Sequence, residues 1–167
     1  MKNYGDSNWK DKVTAIGGKA ITYDAIGNPL TYDGWTFTWK AGRMLASMVK
    51  TGTNAQFTYD HNGLRIKKVV NGVTTNYTLN GKNVVHMTQG GYDLHFFYDA
   101  QGKPAMVRFN GTDYFYIYNL QNDAVAIVDT NGTQVVEYGY DAWGNPISKT
   151  GTLAATLGTL NPFRYRG

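Results

Sequence analysis

The pattern Tyr-Asp-x-x-Gly occurs four times in this chain. The copies begin at Tyr23-Asp24, Tyr59-Asp60, Tyr98-Asp99 and Tyr140-Asp141, and close on Gly27, Gly63, Gly102 and Gly144. Successive tyrosines lie 36, 39 and 42 residues apart, and weaker copies sit near each midpoint: Trp39-Lys40-Ala41-Gly42, Leu79-Asn80-Gly81 and Tyr118-Asn119. The underlying period is about 20 residues, the mark of one supersecondary unit stacked repeatedly on itself. An array of this kind builds a surface or a wall more readily than an active site.

Each unit reads as strand, turn, strand. Residues two apart on a strand share a face. Two positions before each motif aromatic stands another large side chain: Ile21 before Tyr23, Phe37 before Trp39, Phe57 before Tyr59, Phe96 before Tyr98, Tyr116 before Tyr118 and Tyr138 before Tyr140. One face therefore carries an aromatic stripe in constant register, as a continuous sheet requires. The Asp and Gly are the ends of a type I turn, which favours Asp at its first position and Gly at its fourth. The carboxylate accepts a backbone N–H two residues on. Pro29, Pro104 and Pro146 follow two residues after the glycine, where a strand begins and proline is tolerated. The other turn of each unit is read as type I′, at Asp33-Gly34, Asn71-Gly72, Asn80-Gly81, Asn110-Gly111 and Asn131-Gly132. The fold class that follows is all-β, an antiparallel meander of hairpins.

Composition narrows the chemistry. Hydrophobic residues make up 42% and charged residues 17%, which excludes a disordered chain. The net charge of +4 is spread out, apart from Arg65, Lys67 and Lys68 and the pair Arg164 and Arg166; a nucleic-acid face would concentrate it. There is no cysteine, so disulfides and thiolate sites are excluded. The N-terminus carries no signal peptide and no segment is apolar for long enough to span a membrane. His61, His86 and His95 share no short metal-binding spacing, and Ser7, Ser47 and Ser148 lie in no nucleophile context. No catalytic, metal or cofactor-binding residue is assigned.

Tyr-Asp-x-x-Gly at this spacing resembles the YD repeats of the rearrangement-hotspot (RHS) proteins, which also occur in insecticidal toxin-complex subunits, wall-associated proteins and teneurins. The likeness runs from about Ile21 to Gly167. Tyr138-Gly139-Tyr140-Asp141-Ala142-Trp143-Gly144-Asn145-Pro146, followed by Asn161-Pro162-Phe163-Arg164-Tyr165-Arg166-Gly167, is similar to the opening of the RHS-associated core segment. The resemblance implies a curved, spiralling sheet, a partial shell of the kind that encloses a C-terminal toxic domain in polymorphic toxins. It implies a non-enzymatic scaffold, secreted or at the cell surface in its full-length setting. The sequence ends before the elements that an autoprotease of this family needs.

On this basis residues 1–20 form a lead-in, 21–148 the hairpin array, and 149–167 a linker and the start of the core motif. The structural motif residues are Tyr23, Asp24, Gly27, Tyr59, Asp60, Gly63, Tyr98, Asp99, Gly102, Tyr140, Asp141 and Gly144. Exposed sheet edges invite further strand pairing, so the expected partners are a second copy or the rest of a shell, with no nucleic acid. The alternative is a cell-surface module that binds carbohydrate or wall polymer on Trp35, Trp39 and Trp143, since sugars stack on exposed rings. Thr150–Gly158 is expected to be a loop or short helical turn that plugs or caps the sheet. Asn8–Lys12 is open between irregular chain and a short helix.

Overall fold

The computed structural model describes residues 1–165. Strands β1 (Lys2–Tyr4), β2 (Val13–Ile16), β3 (Lys19–Tyr23), β4 (Pro29–Tyr32), β5 (Trp35–Lys40), β6 (Met44–Lys50), β7 (Thr53–Tyr59) and β8 (Arg65–Val70) lead to β9 (Val73–Asn80). After it come β10 (Asn83–Gln89), β11 (Tyr92–Tyr98), β12 (Pro104–Phe109), β13 (Thr112–Tyr118), β14 (Ala124–Val128), β15 (Gln134–Tyr140), β16 (Pro146–Thr150) and the short helix α1 (Leu157–Leu160). The strand order in the sheet is the order in sequence, without a crossover, and every described pairing is antiparallel. The all-β meander is therefore as the repeats require. The chain forms two compact units, Met1–Asn76 and Tyr77–Gly167.

The two turn types alternate for a physical reason. After a motif strand, a carboxylate holds the loop: Asp99 Oδ1 accepts the N–H of Gln101 and of Lys103, both at 2.9 Å, while Asp99 N–H and C=O bond Lys103 and Gly102. Asp24, Asp60 and Asp141 repeat the arrangement. Each such turn ends in a register shift at the motif aromatic, between Phe97 and Tyr98 for instance, a bulge that adds twist. Pro29, Pro104 and Pro146 each open a strand, where the missing N–H is harmless.

Two of the expected type I′ turns are built differently. Asp33, Asn71 and Asn110 have positive φ and are followed by a positive-φ glycine, as that turn demands. At Asn80-Gly81 the positive φ belongs to Gly81 alone, and Lys82 takes the second loop position. Asn131-Gly132 falls in the carboxylate-held class, because Asp129 two residues earlier accepts the N–H of Asn131 and Thr133. Residues 8–12 form turns instead of a helix. Asp6 accepts the N–H of Asn8 and Trp9 and pairs with Lys12, which ties the segment off locally.

The core is unequally shared. Among the described residues every fully buried hydrophobic except Ala55 lies in the C-terminal unit. There Leu94, Val107, Ile127 and Val136 are 0% exposed along the stripe face. In the N-terminal unit the same face stays half-buried, with Trp35, Phe37 and Trp39 alternating against exposed threonines. The cause is residues 153–165, which lie on the C-terminal unit's face: Leu153, Leu157, Leu160 and Phe163 join its core. Of the segment expected to plug or cap the sheet, Thr150 ends β16 instead, and the packed stretch runs past Gly158 to Phe163. Arg166 and Gly167, the last residues of the core motif, lie outside the described residues.

Candidate functional site

The motif tyrosine ends its strand with its hydroxyl aimed back across the sheet. Tyr59 donates to the Leu45 carbonyl at 2.9 Å, Tyr98 to Val84 at 2.7 Å, Tyr118 to Pro104 at 2.6 Å and Tyr140 to Ala124 at 2.9 Å. Tyr23 does the same to Val13, and the Trp39 indole N–H reaches the Pro29 carbonyl at 2.7 Å. Each acceptor sits near the start of the preceding strand. The ring thus covers the stripe face while its polar end closes the carbonyl left at the mouth of the hairpin. A phenylalanine could cover but not close, and β9 shows the contrast, since Leu79 occupies the equivalent position.

Burial fixes the protonation of five phenols in the C-terminal unit. Loss of solvent pushes the Tyr118 and Tyr140 hydroxyls up to about 12, and those of Tyr98, Tyr138 and especially Tyr116 upward as well. They remain donors at neutral pH, which suits a structural bond and unsuits a general base. The folded values lie above the unfolded value, so their stabilisation is full below pH 10 and is lost as pH rises from there toward about 12. Urea unfolding followed across that window is expected to show a falling midpoint, with tyrosinate absorbance appearing as the protein opens.

Residues 153–165 are fastened by one buried side chain. Asn161 accepts the Tyr116 hydroxyl at 2.6 Å and donates to the Phe163 carbonyl at 2.6 Å and to Tyr138 Oη at 3.3 Å. Tyr138 donates in turn to the Gly158 carbonyl at 3.0 Å. The Phe163 ring meets Phe96, Tyr98 and Tyr116 edge-on, at centroid distances of 5.0, 6.1 and 6.4 Å. The Arg164 guanidinium bonds the carbonyls of Gly158 and Thr159. The Arg164 carbonyl receives the Ala124 N–H at 2.8 Å, at the start of β14. Sequence reasoning located the segment but not this hub, because a lone asparagine gives no sign of burial.

Beyond the hub, Tyr165 leans on Tyr140 at 5.7 Å, at one side of a cleft of about 430 Å³ that Asp123, Tyr138 and Asp141 also line. Gly144 makes this contact possible. Its φ is +84°, and a Cβ there would run into the Tyr165 ring, whereas Gly132, with φ +80°, has open space around it. Gly132→Ala is expected to cost about 1–2 kcal/mol from left-handed strain alone. Gly144→Ala should exceed it by about 1 kcal/mol, the loss of an aromatic contact. Chemical denaturation of the two variants side by side checks the difference.

The three tryptophans considered as a ligand platform are placed unequally. Trp35 stacks with Phe37 at 6.3 Å and lies under the Lys50 ammonium, half-buried, and Trp39 is fixed by its indole bond. Trp143 is 90% exposed at the third position of the Asp141 turn. Trp35 and Trp39 belong to the N-terminal unit and Trp143 to the C-terminal one.

A cluster that the spacing did not reveal lies on the opposite face of β10 and β11. His86 faces His95 directly across the hairpin. Their rings stack at 4.2 Å, and both Nε2 atoms reach Asp93, at 2.7 Å from His86 and 3.0 Å from His95. The hydrogen bond from His86 lowers the Asp93 carboxyl from its ordinary value, burial opposes it, and the imidazoles' electrostatic attraction adds to the lowering.

Comparison with known proteins agrees with this geometry. A family model described as the teneurin YD-shell matches residues 6–159. The chain is 36% identical over 167 residues to the tRNA nuclease WapA of Bacillus subtilis (strain 168) and equally to the tRNA3(Ser)-specific nuclease WapA of Bacillus spizizenii. Each match covers 96% of this chain and 7% of the relative, so the chain spans about one-fourteenth of the curated relatives' length. Among solved structures it resembles the Photorhabdus luminescens Tc holotoxin pore, with a TM-score of 0.58 and 15% identity over 87% of this chain and 8% of that one. The crystal structure of TcdB2-TccC3 gives a TM-score of 0.57, also at 15% identity over 87% of this chain and 8% of that one. At that identity the likeness shows the fold. The chain belongs to the teneurin YD-shell family.

Proposed function

We propose that this chain is a section of shell wall from an RHS-type polymorphic toxin, a non-enzymatic scaffold whose parent protein acts outside the cell or at its surface and encloses a C-terminal toxic domain. The observation that carries the proposal is the uncrossed sixteen-strand order, closed at turn after turn by the same tyrosine and carboxylate devices. A wall built this way extends by adding hairpins. The end strands support it, because β1 and β16 each pair on one side and are exposed along their whole length. The tyrosines support the scaffold role, being spent as protonated donors on backbone carbonyls.

Enclosure is tested by limited proteolysis of a longer protein in which this array precedes a C-terminal domain. That domain is expected to resist digestion while the array is intact and to be degraded when residues 21–148 are deleted; equal digestion of both would overturn enclosure. The isolated chain is expected to leave tRNA uncut, and cleavage by it would end the non-enzymatic reading. Light scattering is expected to give a mass above the 18.6 kDa of one chain through edge pairing, and a monomer at every concentration would argue against it.

A second reading, a carbohydrate-binding surface module, draws on the exposed indole of Trp143. Glycan-array binding that disappears with Trp143→Ala or Trp35→Ala would favour it.

A further inference from the structure

We propose that His86, Asp93 and His95 form a binding site for a first-row divalent transition ion such as zinc, on the face of the β10–β11 hairpin opposite the aromatic stripe. One ligand atom from each residue lies within 4.8 Å of the other two. An ion held at about 2.0–2.2 Å from each of them needs ligand atoms roughly 3–3.5 Å apart. His86 Nε2 now lies 2.7 Å from Asp93 Oδ2 and His95 Nε2 3.0 Å from Asp93 Oδ1, so the carboxylate already stands between the two imidazoles, and an ion would replace these two contacts.

The hairpin supplies the rigidity. His86 and His95 are a cross-strand pair, and Asp93 stands two residues before His95, hence on the same face. Asp93 is also anchored through its own N–H, which donates to Asn110 Oδ1 at 2.9 Å. The nearest cation on the adjoining strand is Arg108, which faces His95 from β12. Its guanidinium is engaged by the Asp113 carboxylate through two bonds, at 2.6 and 3.0 Å, which offsets its repulsion of a second cation. The side chains are accessible, with 29% of His86, 45% of Asp93 and 47% of His95 exposed, so an ion can enter and water can complete its shell. Two imidazoles and one carboxylate suit zinc, iron(II), nickel or copper(II) better than calcium or magnesium, which prefer oxygen.

The test is calorimetric titration of the metal-free protein with zinc chloride, paired with NMR of the histidine ring protons. One zinc per chain is expected, with the ring signals of His86 and His95 shifting and those of His61 unmoved. His86→Gln, His95→Gln and Asp93→Asn should each weaken binding by at least about tenfold, since even loss of an outer-shell partner costs 10- to 100-fold. His61→Gln should leave it unchanged. No binding at millimolar zinc, or binding that the doubly substituted H86Q/H95Q protein retains, would overturn the site. The ring shifts are read on the unaltered protein, so the outcome does not depend on how the variants fold.

Discussion

Leu157→Ala is expected to destabilise the C-terminal unit by about 2–5 kcal/mol, the range for deleting most of a buried leucine side chain. Leu157 is 0% exposed, although it belongs to a helix of only four residues. One turn of helix has almost no stability of its own, because nucleation is costly and few bonds repay it. Its position must therefore come from packing on the stripe face, where Leu157 joins Val107, Ile127 and Val136 in one cluster. Gly158 fits the same argument, for a Cβ there would meet Val136 Cγ1 at 2.9 Å. Leu120→Ala is the control: Leu120 is fully exposed, and surface changes of this kind stay within about 0.5 kcal/mol. Because the chain has two compact units, unfolding should be followed by hydrogen exchange as well as by a bulk signal. Protection should fall in β14, β15 and residues 153–165 and hold in β5–β7. A cost below about 1 kcal/mol would mean that the segment adds little to the core.

Much of this structure follows from local chemistry that a sequence displays openly. Period-two aromatics give the strands, and an Asp three residues before a Gly gives the turn. Those signals place the strand ends at Tyr59, Tyr98 and Tyr140. What stays hidden depends on register or on packing. The destination of each tyrosine hydroxyl is one case, since the Leu45, Val84 and Ala124 carbonyls become acceptors only once the strands are aligned. The turn at Asn119 is half legible, since the weaker copy Tyr118-Asn119 marks its place but not how it closes. Asparagine replaces the aspartate, Asn122 with φ +69° replaces the glycine, and Asp123 closes the loop, so the motif persists in shape after its letters change. The histidine pair was available in principle: His86 lies four residues before Gly90 and His95 four after Gly91, so a hairpin centred on that Gly-Gly pairs them. Spacing along the chain was the wrong measure. The Asn161 hub had no such signal, because its partners come from β13, β15 and its own segment.

Asn161→Ala is expected to cost about 3 kcal/mol, although it removes only one small polar side chain. Asn161 is 1% exposed, and its amide serves Tyr116, Tyr138 and Phe163 together. A neutral hydrogen bond contributes about 1 kcal/mol net, but a buried group stripped of its partner loses about 1–3 kcal/mol. Alanine strands the Tyr116 hydroxyl, which is buried, and the Phe163 carbonyl at once, so the second effect dominates. It also frees the Phe163 backbone, whose fixed position aims the ring edge-on at Phe96 and Tyr116. Tyr116→Phe is the informative partner. It removes the donor without opening space and leaves the asparagine oxygen a weaker bond from the Phe163 N–H at 3.3 Å, so it should cost only about 1 kcal/mol. Combined, the two changes should cost less than their sum. Once the hydroxyl of Tyr116 is gone, the loss of Asn161 has no phenol left to strand. A coupling of about 1–2 kcal/mol is expected from residues in one network. Strict additivity would mean that the two side chains hold the segment independently. The coupling, more than either loss alone, decides whether residues 153–165 are bound to the wall through one shared hub.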